Sequence, residues 1–153
     1  MKTYVAILIM LLTPGWLPAA QAVSTPEYMA VLAVMGYGYT VKVSINGVDT
    51  GVKGGKSENR RLFNQDHEMA KQALPAIRAQ NFVLKPGENR IAVEYAKTDQ
   101  KSSDTLEIKL ELEGYPAPIF HLQSKTKASG KIEKQFVVQK PAPKDFKPIA
   151  INE

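Results

Sequence analysis

The chain has 153 residues, a formal net charge of +5 and no cysteine. The absence of cysteine excludes disulfide bonds and thiolate chemistry. A chain of this length can bury enough apolar surface to fold without covalent cross-links.

The N-terminal stretch has the three parts of a secretory signal peptide. Lys2 supplies positive charge, residues 5–12 are apolar, and residues 20–22 (AQA) match the small-x-small pattern that signal peptidase cleaves. A transmembrane anchor would need about 20 uninterrupted apolar residues, whereas Pro14 interrupts this segment. We therefore expect residues 1–22 to be cleaved and the mature chain to be periplasmic or secreted. Export without cysteine favours a bacterial envelope.

The excess positive charge is concentrated towards the C-terminus. Residues 23–124 carry twelve basic and twelve acidic side chains, so this part of the chain is neutral. A candidate patch for an anionic polymer, such as lipid headgroups or envelope polysaccharide, consists of seven lysines. These are Lys125, Lys127, Lys131, Lys134, Lys140, Lys144 and Lys147. The alternative is that they protect an edge strand and keep the C-terminal segment soluble. No specific nucleic-acid recognition is predicted.

Two segments near the start of the mature chain predict strands. Residues 28–35 (YMAVLAVM) are almost wholly apolar, as in a strand buried on both faces or a short buried helix. Residues 39–45 (YTVKVSI) alternate between apolar and polar side chains, which predicts a half-buried strand. Asn46 and Gly47 follow directly, and both accept the positive φ of a type I′ hairpin turn.

The next segment, NQDHEMAKQALPAIRAQ, breaks the β pattern. Met69, Ala73 and Ile77 recur at helical spacing. Because proline is unfavourable inside a helix, Pro75 indicates that the helix ends near this point. We predict one short connecting helix near residues 65–74.

Residues 83–95 (VLKPGENRIAVEY) combine a polar turn with an alternating strand. Pro86 and Gly87 suit the φ angles of a type II turn, and the Asn89 side chain can bond to the turn backbone. Residues 106–112 (LEIKLEL) alternate strictly, so their charged face is expected to meet water.

About seven short strands separated by turns, with one helix and no βαβ rhythm, predict an antiparallel β-sandwich. The sequence leaves open whether its topology is immunoglobulin-like or jelly-roll. The expected organisation is a signal peptide (1–22), the sandwich domain (23–139) and a Pro/Lys-rich C-terminal tail (140–153). Whether the tail is ordered also stays open.

Two fragments resemble parts of bacterial β-sandwich modules. VSINGV (43–48) and LKPGENRIAVEY (84–95) are similar to a hairpin and a final turn-plus-strand of jelly-roll, sugar-binding-like domains, and immunoglobulin-like modules carry similar phrases. The resemblance implies a sandwich and, for the jelly-roll modules, a glycan bound on exposed aromatic side chains. Tyr37 and Tyr115, which lie beside bends, are the candidate ligand-binding residues. The alternative is that both pack as edge aromatics.

Other possible sites fail on spacing or environment. Residues 51–57 (GVKGGKS) have three residues between Gly51 and Gly55, not the four of a phosphate-binding loop. His67 and His121 are candidate metal ligands, but neither belongs to an HxH or HxxxH pattern. We therefore predict no catalytic residue, no metal and no cofactor.

The leading hypothesis is a non-enzymatic, exported protein of the bacterial cell envelope that acts by binding or assembly, with an envelope protein or glycan as its partner. One alternative is a small carbohydrate-binding module. Another is an exported hydrolase or metal-binding protein. A third is a subunit whose edge strand near residues 131–139 pairs with a partner chain.

Overall fold

The computed structural model describes residues 26–98 and 104–153. This part of the chain is mainly β, with two sheets and one short α-helix. The strands are β1 Met29–Met35, β2 Tyr39–Ile45, β3 Val48–Asp49, β4 Ser57–Asn64, β5 Phe82–Leu84, β6 Gly87–Lys97, β7 Leu106–Leu112, β8 Phe120–Ser124, β9 Ser129–Val138 and β10 Ile149–Asn152. A 3₁₀ helix spans Glu68–Lys71 and α1 spans Pro75–Asn81.

The strands form a six-stranded sheet in the order β10-β8-β7-β1-β4-β5 and a four-stranded sheet in the order β3-β2-β6-β9. Most neighbours are antiparallel, but β4 pairs with β5, and β8 with β10, in parallel. These two pairs correct the expectation of a wholly antiparallel arrangement. Parallel neighbours need a crossover connection. The helical segment supplies it for β5, and passage through β9 of the other sheet supplies it for β10.

One hydrophobic core is shared by both sheets. Alternate residues of β1, β2, β6 and β7 are buried and belong to a single cluster of apolar side chains. Leu32 and Leu110 of the six-stranded sheet and Ile91 of the four-stranded sheet are fully buried. Each such side chain contributes about 1.5–3 kcal/mol when it leaves water. Each of these strands therefore directs one face to the core, although only β2, β6 and β7 show the alternation in their sequence.

The predicted turn chemistry is confirmed at both polar turns. Asn46 and Gly47 have φ of 51° and 82°, and Gly87 has φ of 82°. The Asn89 amide accepts from the Lys85 N–H and donates to the carbonyls of Lys85 and Gly87. Asn46 Nδ2 also donates to Asn89 Oδ1 at 2.8 Å. The two turns therefore lie side by side and stabilise each other.

The prediction of a connecting helix near residues 65–74 is wrong in position. That range contains only the 3₁₀ helix, whose first turn is capped by the His67 ring accepting from the Met69 N–H. The α-helix begins at Pro75, the residue that was expected to end it. Proline is well tolerated at the first helical position, because its missing N–H would have no intrahelical partner there.

The C-terminal segment contributes to the six-stranded sheet. Residues 149–152 pair with β8, the Glu153 N–H donates to the Gln123 carbonyl at 2.9 Å, and the Lys125 N–H donates to the Glu153 carbonyl at 2.9 Å. At least this end of the Pro/Lys-rich segment is therefore ordered.

Strand β9 forms an edge of the four-stranded sheet. Lys134 pairs with the buried Ile91, so it occupies a core-facing register position, yet it is exposed. A charged residue that points inward on an edge strand is a common device against edge-to-edge association.

The expected signal peptide lies outside the described residues. Within residues 26–98 and 104–153, no helix has the length and apolar character needed to span a bilayer.

Candidate functional site

An apolar row lies on the outer face of the six-stranded sheet. Met29, Val31, Ala33 and Met35 alternate with the buried residues of β1 and point away from the core. We call these four residues the β1 stripe. They are partly exposed, and Met35 reaches 44% exposure. The almost wholly apolar run in the sequence therefore marks a strand with one face in the core and one apolar face towards solvent.

Polar side chains border the β1 stripe on both sides. Glu107, Lys109 and Glu111 of β7 lie beside Met35, Ala33 and Val31, respectively. On the other side, β4 places Ser57, Asn59 and Arg61 beside the same three residues. An apolar surface with a polar rim is typical of a protein contact site.

A groove lies at the Met29 end of the stripe. It has a volume of about 370 Å³ and is lined by Met29, Val31, Glu111, Tyr115, Pro116 and Pro118, among others. We call it the corner groove, since residues 113–119 form the corner between β7 and β8. Apolar side chains and two carboxylates, Glu111 and Glu113, line it, a composition that suits an amphipathic ligand.

Tyr115, one of the two candidate ligand-binding residues, lines the corner groove. Its hydroxyl lies 3.3 Å from the carbonyl oxygens of Val137 and Gln139 and accepts from the Gln139 N–H at 3.1 Å. Its ring packs edge-to-face on Phe146, with ring centroids 4.9 Å apart. Tyr115 therefore connects the corner to the end of β9, and its orientation is fixed on several sides.

Tyr37, the other candidate, lies at the opposite end of β1. It occupies the turn between β1 and β2 and is 54% exposed. The structure therefore does not bring the two tyrosines into one binding surface. Tyr37 and Met35 are both exposed at this end of β1.

The second carboxylate of the corner groove is paired. Lys140 Nζ lies 3.2 Å from Glu113 Oε2 and 5.8 Å from the centroid of the Tyr28 ring. Glu111 is exposed and has no ion pair with any residue in the described ranges. Glu111 is therefore the carboxylate at this rim that is available to a partner.

The seven lysines of the candidate anionic-partner patch do not form one free surface. Lys127 pairs with Glu153 at 2.5 Å, Lys131 with Glu94 at 2.7 Å, and Lys140 with Glu113. Such exposed ion pairs are weak, but they compete with an external anion. The remaining four, without an ion pair in the described parts of the chain, are Lys125, Lys134, Lys144 and Lys147.

A small polar cluster surrounds Glu107 on the outer face. Its carboxylate contacts Lys109 at 2.8 Å, His121 at 2.9 Å and Gln123 at 3.1 Å. The hydrogen bond from Lys109, opposed by burial and assisted by His121, lowers the pKa of Glu107 to about 2. Glu107 is therefore held ionised, and it ties β7 to β8.

Tyr95 links the two sheets at one end of the core. Its hydroxyl donates to the Glu153 carboxylate. Burial, with the Glu153 carboxylate as acceptor, raises the pKa of Tyr95 to about 12. The Tyr95 ring passes directly over Gly130 of β9, where an added Cβ would lie 2.5 Å from the hydroxyl oxygen.

The two histidines occupy separate places. The His67 ring packs against Phe63 and Phe82, at 4.9 and 6.2 Å between centroids, and its Nε2 lies 3.4 Å from Glu27. His121 belongs to the Glu107 cluster. Among residues 26–98 and 104–153, no three His, Asp or Glu side chains converge in a geometry for a metal ion.

No protein-family model matches this chain, and no curated protein or solved structure shows significant similarity to it. We therefore infer its function from the geometry of the chain itself.

Proposed function

We propose that the mature chain is an exported, non-enzymatic protein of the bacterial cell envelope that acts by binding or assembly. The observation that carries this proposal is the β1 stripe, four apolar side chains in a row on the outer face of a sheet. An apolar row with polar borders gains free energy when a partner covers it. Glu107 is held ionised by its neighbours and Glu113 pairs with Lys140, so neither carboxylate is free to transfer a proton, which supports a non-enzymatic role.

We further propose that the two sheets pack face to face as a β-sandwich of immunoglobulin-like or jelly-roll type. The single core cluster, drawn from both sheets, supports this arrangement. Such folds host many unrelated functions, so the fold itself contributes little to the functional proposal.

The test is co-sedimentation of the mature chain, residues 23–153, with isolated envelope fractions at low and high salt. Contacts through the β1 stripe are apolar and should persist at high salt, whereas charge-driven adhesion is screened. We expect Ala33→Asp to abolish pelleting. Replacement of the four unpaired lysines, Lys125, Lys134, Lys144 and Lys147, by Gln should leave it unchanged. Pelleting that is lost with salt or with the lysine variant would contradict the proposal, as would hydrolytic turnover by the purified chain.

A second candidate function is carbohydrate binding, favoured by the presence of Tyr115 in the corner groove. It predicts that Tyr115→Ala weakens binding to an envelope glycan, measured by calorimetry. Tyr37→Ala is the matched control, because Tyr37 lies at the other end of β1. Unchanged affinity in the Tyr115 variant would remove this candidate.

A further inference from the structure

Two unpaired charges of opposite sign flank the β1 stripe at the same level. Val31 pairs with Arg61 of β4 on one side and with Glu111 of β7 on the other. Because directly opposed residues of neighbouring strands point to the same face, all three side chains project outward. Arg61 and Glu111 are exposed, and neither has an ion pair with a described residue.

We propose that the β1 stripe is the contact surface of a symmetric homodimer. Two copies pack the outer faces of their six-stranded sheets together about a twofold axis parallel to β1. This inference rests on the proposed assembly function and names the partner that covers the stripe, a second copy of this chain. The dimer is then the form that pellets with envelope fractions, and Ala33→Asp abolishes pelleting because it prevents the dimer. The contact is isologous, so each residue pair across it occurs twice.

The positions of Glu111 and Arg61 favour a twofold axis parallel to β1 over one perpendicular to the strands. Rotation about an axis parallel to β1 exchanges the two sides of the stripe and keeps each residue at its level. Glu111 of one copy then faces Arg61 of the other, in two equivalent pairs. An axis perpendicular to the strands through Ala33 would instead place Glu111 opposite Glu107, a contact between two carboxylates. Like charges across an interface oppose association.

The dimensions of the face suit this contact. Packed sheets lie about 10 Å apart, a gap that one arginine and one glutamate side chain can span together. Ala33, the smallest residue of the stripe, lies at its centre and allows close approach. The six strands have between three and eight residues each and cover roughly 500 Å² of flat area, which is less than the about 800 Å² per partner of a standard interface. We therefore expect a weak dimer that is in equilibrium with the monomer.

Sedimentation equilibrium of the mature chain, over a micromolar concentration series, tests the dimer. The variants are Glu111→Arg, Arg61→Glu and the double exchange. Each single change places like charges together twice and should weaken the dimer at least about tenfold. The double exchange restores opposite charges and should recover most of the affinity. Circular dichroism and thermal unfolding confirm that each variant is folded.

Matched controls lie on the outer face of the four-stranded sheet. Glu88→Arg and Lys42→Glu are the same reversals at exposed positions of β6 and β2, and they should leave the dimer unchanged. A monomer at every concentration would overturn the proposal, as would a dimer that the double exchange fails to restore. A monomer that still pellets with envelope fractions would contradict only the proposed dimer. A dimer that does not pellet would contradict only the proposed envelope function.

Discussion

The outer faces of the two sheets carry different kinds of side chains. On the four-stranded sheet, cross-strand ion pairs occupy the surface, with Lys131 bound to Glu94 at 2.7 Å and Arg90 bound to Glu133. On the six-stranded sheet, the centre of the face is the apolar β1 stripe. Charges that are satisfied by neighbours mark a surface in contact with water. Apolar residues beside Glu111 and Arg61, which have no ion pair within residues 26–98 and 104–153, would gain from contact with a partner of complementary charge.

The difference also shows within one strand. Both faces of β1 are apolar, but only one belongs to the core. Polarity along the strand therefore does not separate its structural residues from its contact residues. Substitutions at neighbouring positions can separate them. A change on the core face should lower the free energy of unfolding, whereas a change on the outer face should mainly weaken self-association.

The largest effect is expected at Leu32, which is fully buried. Leu32→Ala should lower the free energy of unfolding by about 2–5 kcal/mol, because it leaves a cavity in the core. Val31→Ala, one residue away on the outer face, should cost less than about 1 kcal/mol and should weaken self-association. Urea unfolding, at a concentration where the chain is monomeric, measures the first effect. Equal losses from the two substitutions would show that the outer face is also structural.

An intermediate effect is expected at Tyr95, the link between the two sheets. Tyr95→Phe removes the hydrogen bond to Glu153 and should cost about 1–2 kcal/mol at neutral pH. Because the folded pKa of about 12 lies above the usual 10, the tyrosine contribution is complete below pH 10 and is lost as the pH rises to 12. The free energy of unfolding of the Tyr95→Phe variant should therefore fall less between pH 10 and pH 12 than that of the unchanged protein. Parallel alkaline unfolding curves for the two proteins would contradict the assignment.

The smallest effect is expected at Glu107, on the outer face of the six-stranded sheet, and Glu94 on the four-stranded sheet is its control. Glu107 is 13% exposed and has a pKa near 2. This full shift corresponds to roughly 3 kcal/mol, which solvent screening of the one-third exposed Lys109 reduces to about 1 kcal/mol. Glu107→Gln should lower the free energy of unfolding by this amount at pH 7. Since the contribution of a lowered pKa is complete above the usual value of 4.5 and is lost as the pH falls to the folded pKa, the difference should vanish between pH 4.5 and pH 2.

Glu94→Gln is the control on the four-stranded sheet. Its hydrogen bond to Lys131 lowers the pKa of Glu94, but the side chain is 51% exposed, so we expect no measurable change in stability. Urea titrations at several pH values test both variants. A loss at Glu94 as large as that at Glu107 would contradict the contrast between the two faces.

The sequence predicted those features that local chemistry determines. The turns at Asn46-Gly47 and Gly87 were predictable because few residues accept positive φ. The alternation in residues 39–45 and 106–112 identified core-facing residues directly. The strands that these patterns predicted are present as β2 and β7.

The rest depended on tertiary context. Pro75 is compatible with the end of one helix or the start of the next, and only packing decides between them. Residues 149–152 lie beside prolines and gain their partner from a strand distant in sequence. The sequence did not predict the β1 stripe, because an apolar run does not reveal which of its faces packs in the core. The pairing of Val31 with both Glu111 and Arg61 requires a register that no local signal contains.

The close approach of Tyr95 to Gly130 has a consequence for how this sequence can diverge. A side chain at position 130 and a tyrosine at position 95 would compete for the same space. The two positions should therefore change together, with an alanine at 130 accepted only after residue 95 has become smaller. In a library randomised at both sites, folded clones should show this dependence. Neither position would reveal it when varied alone.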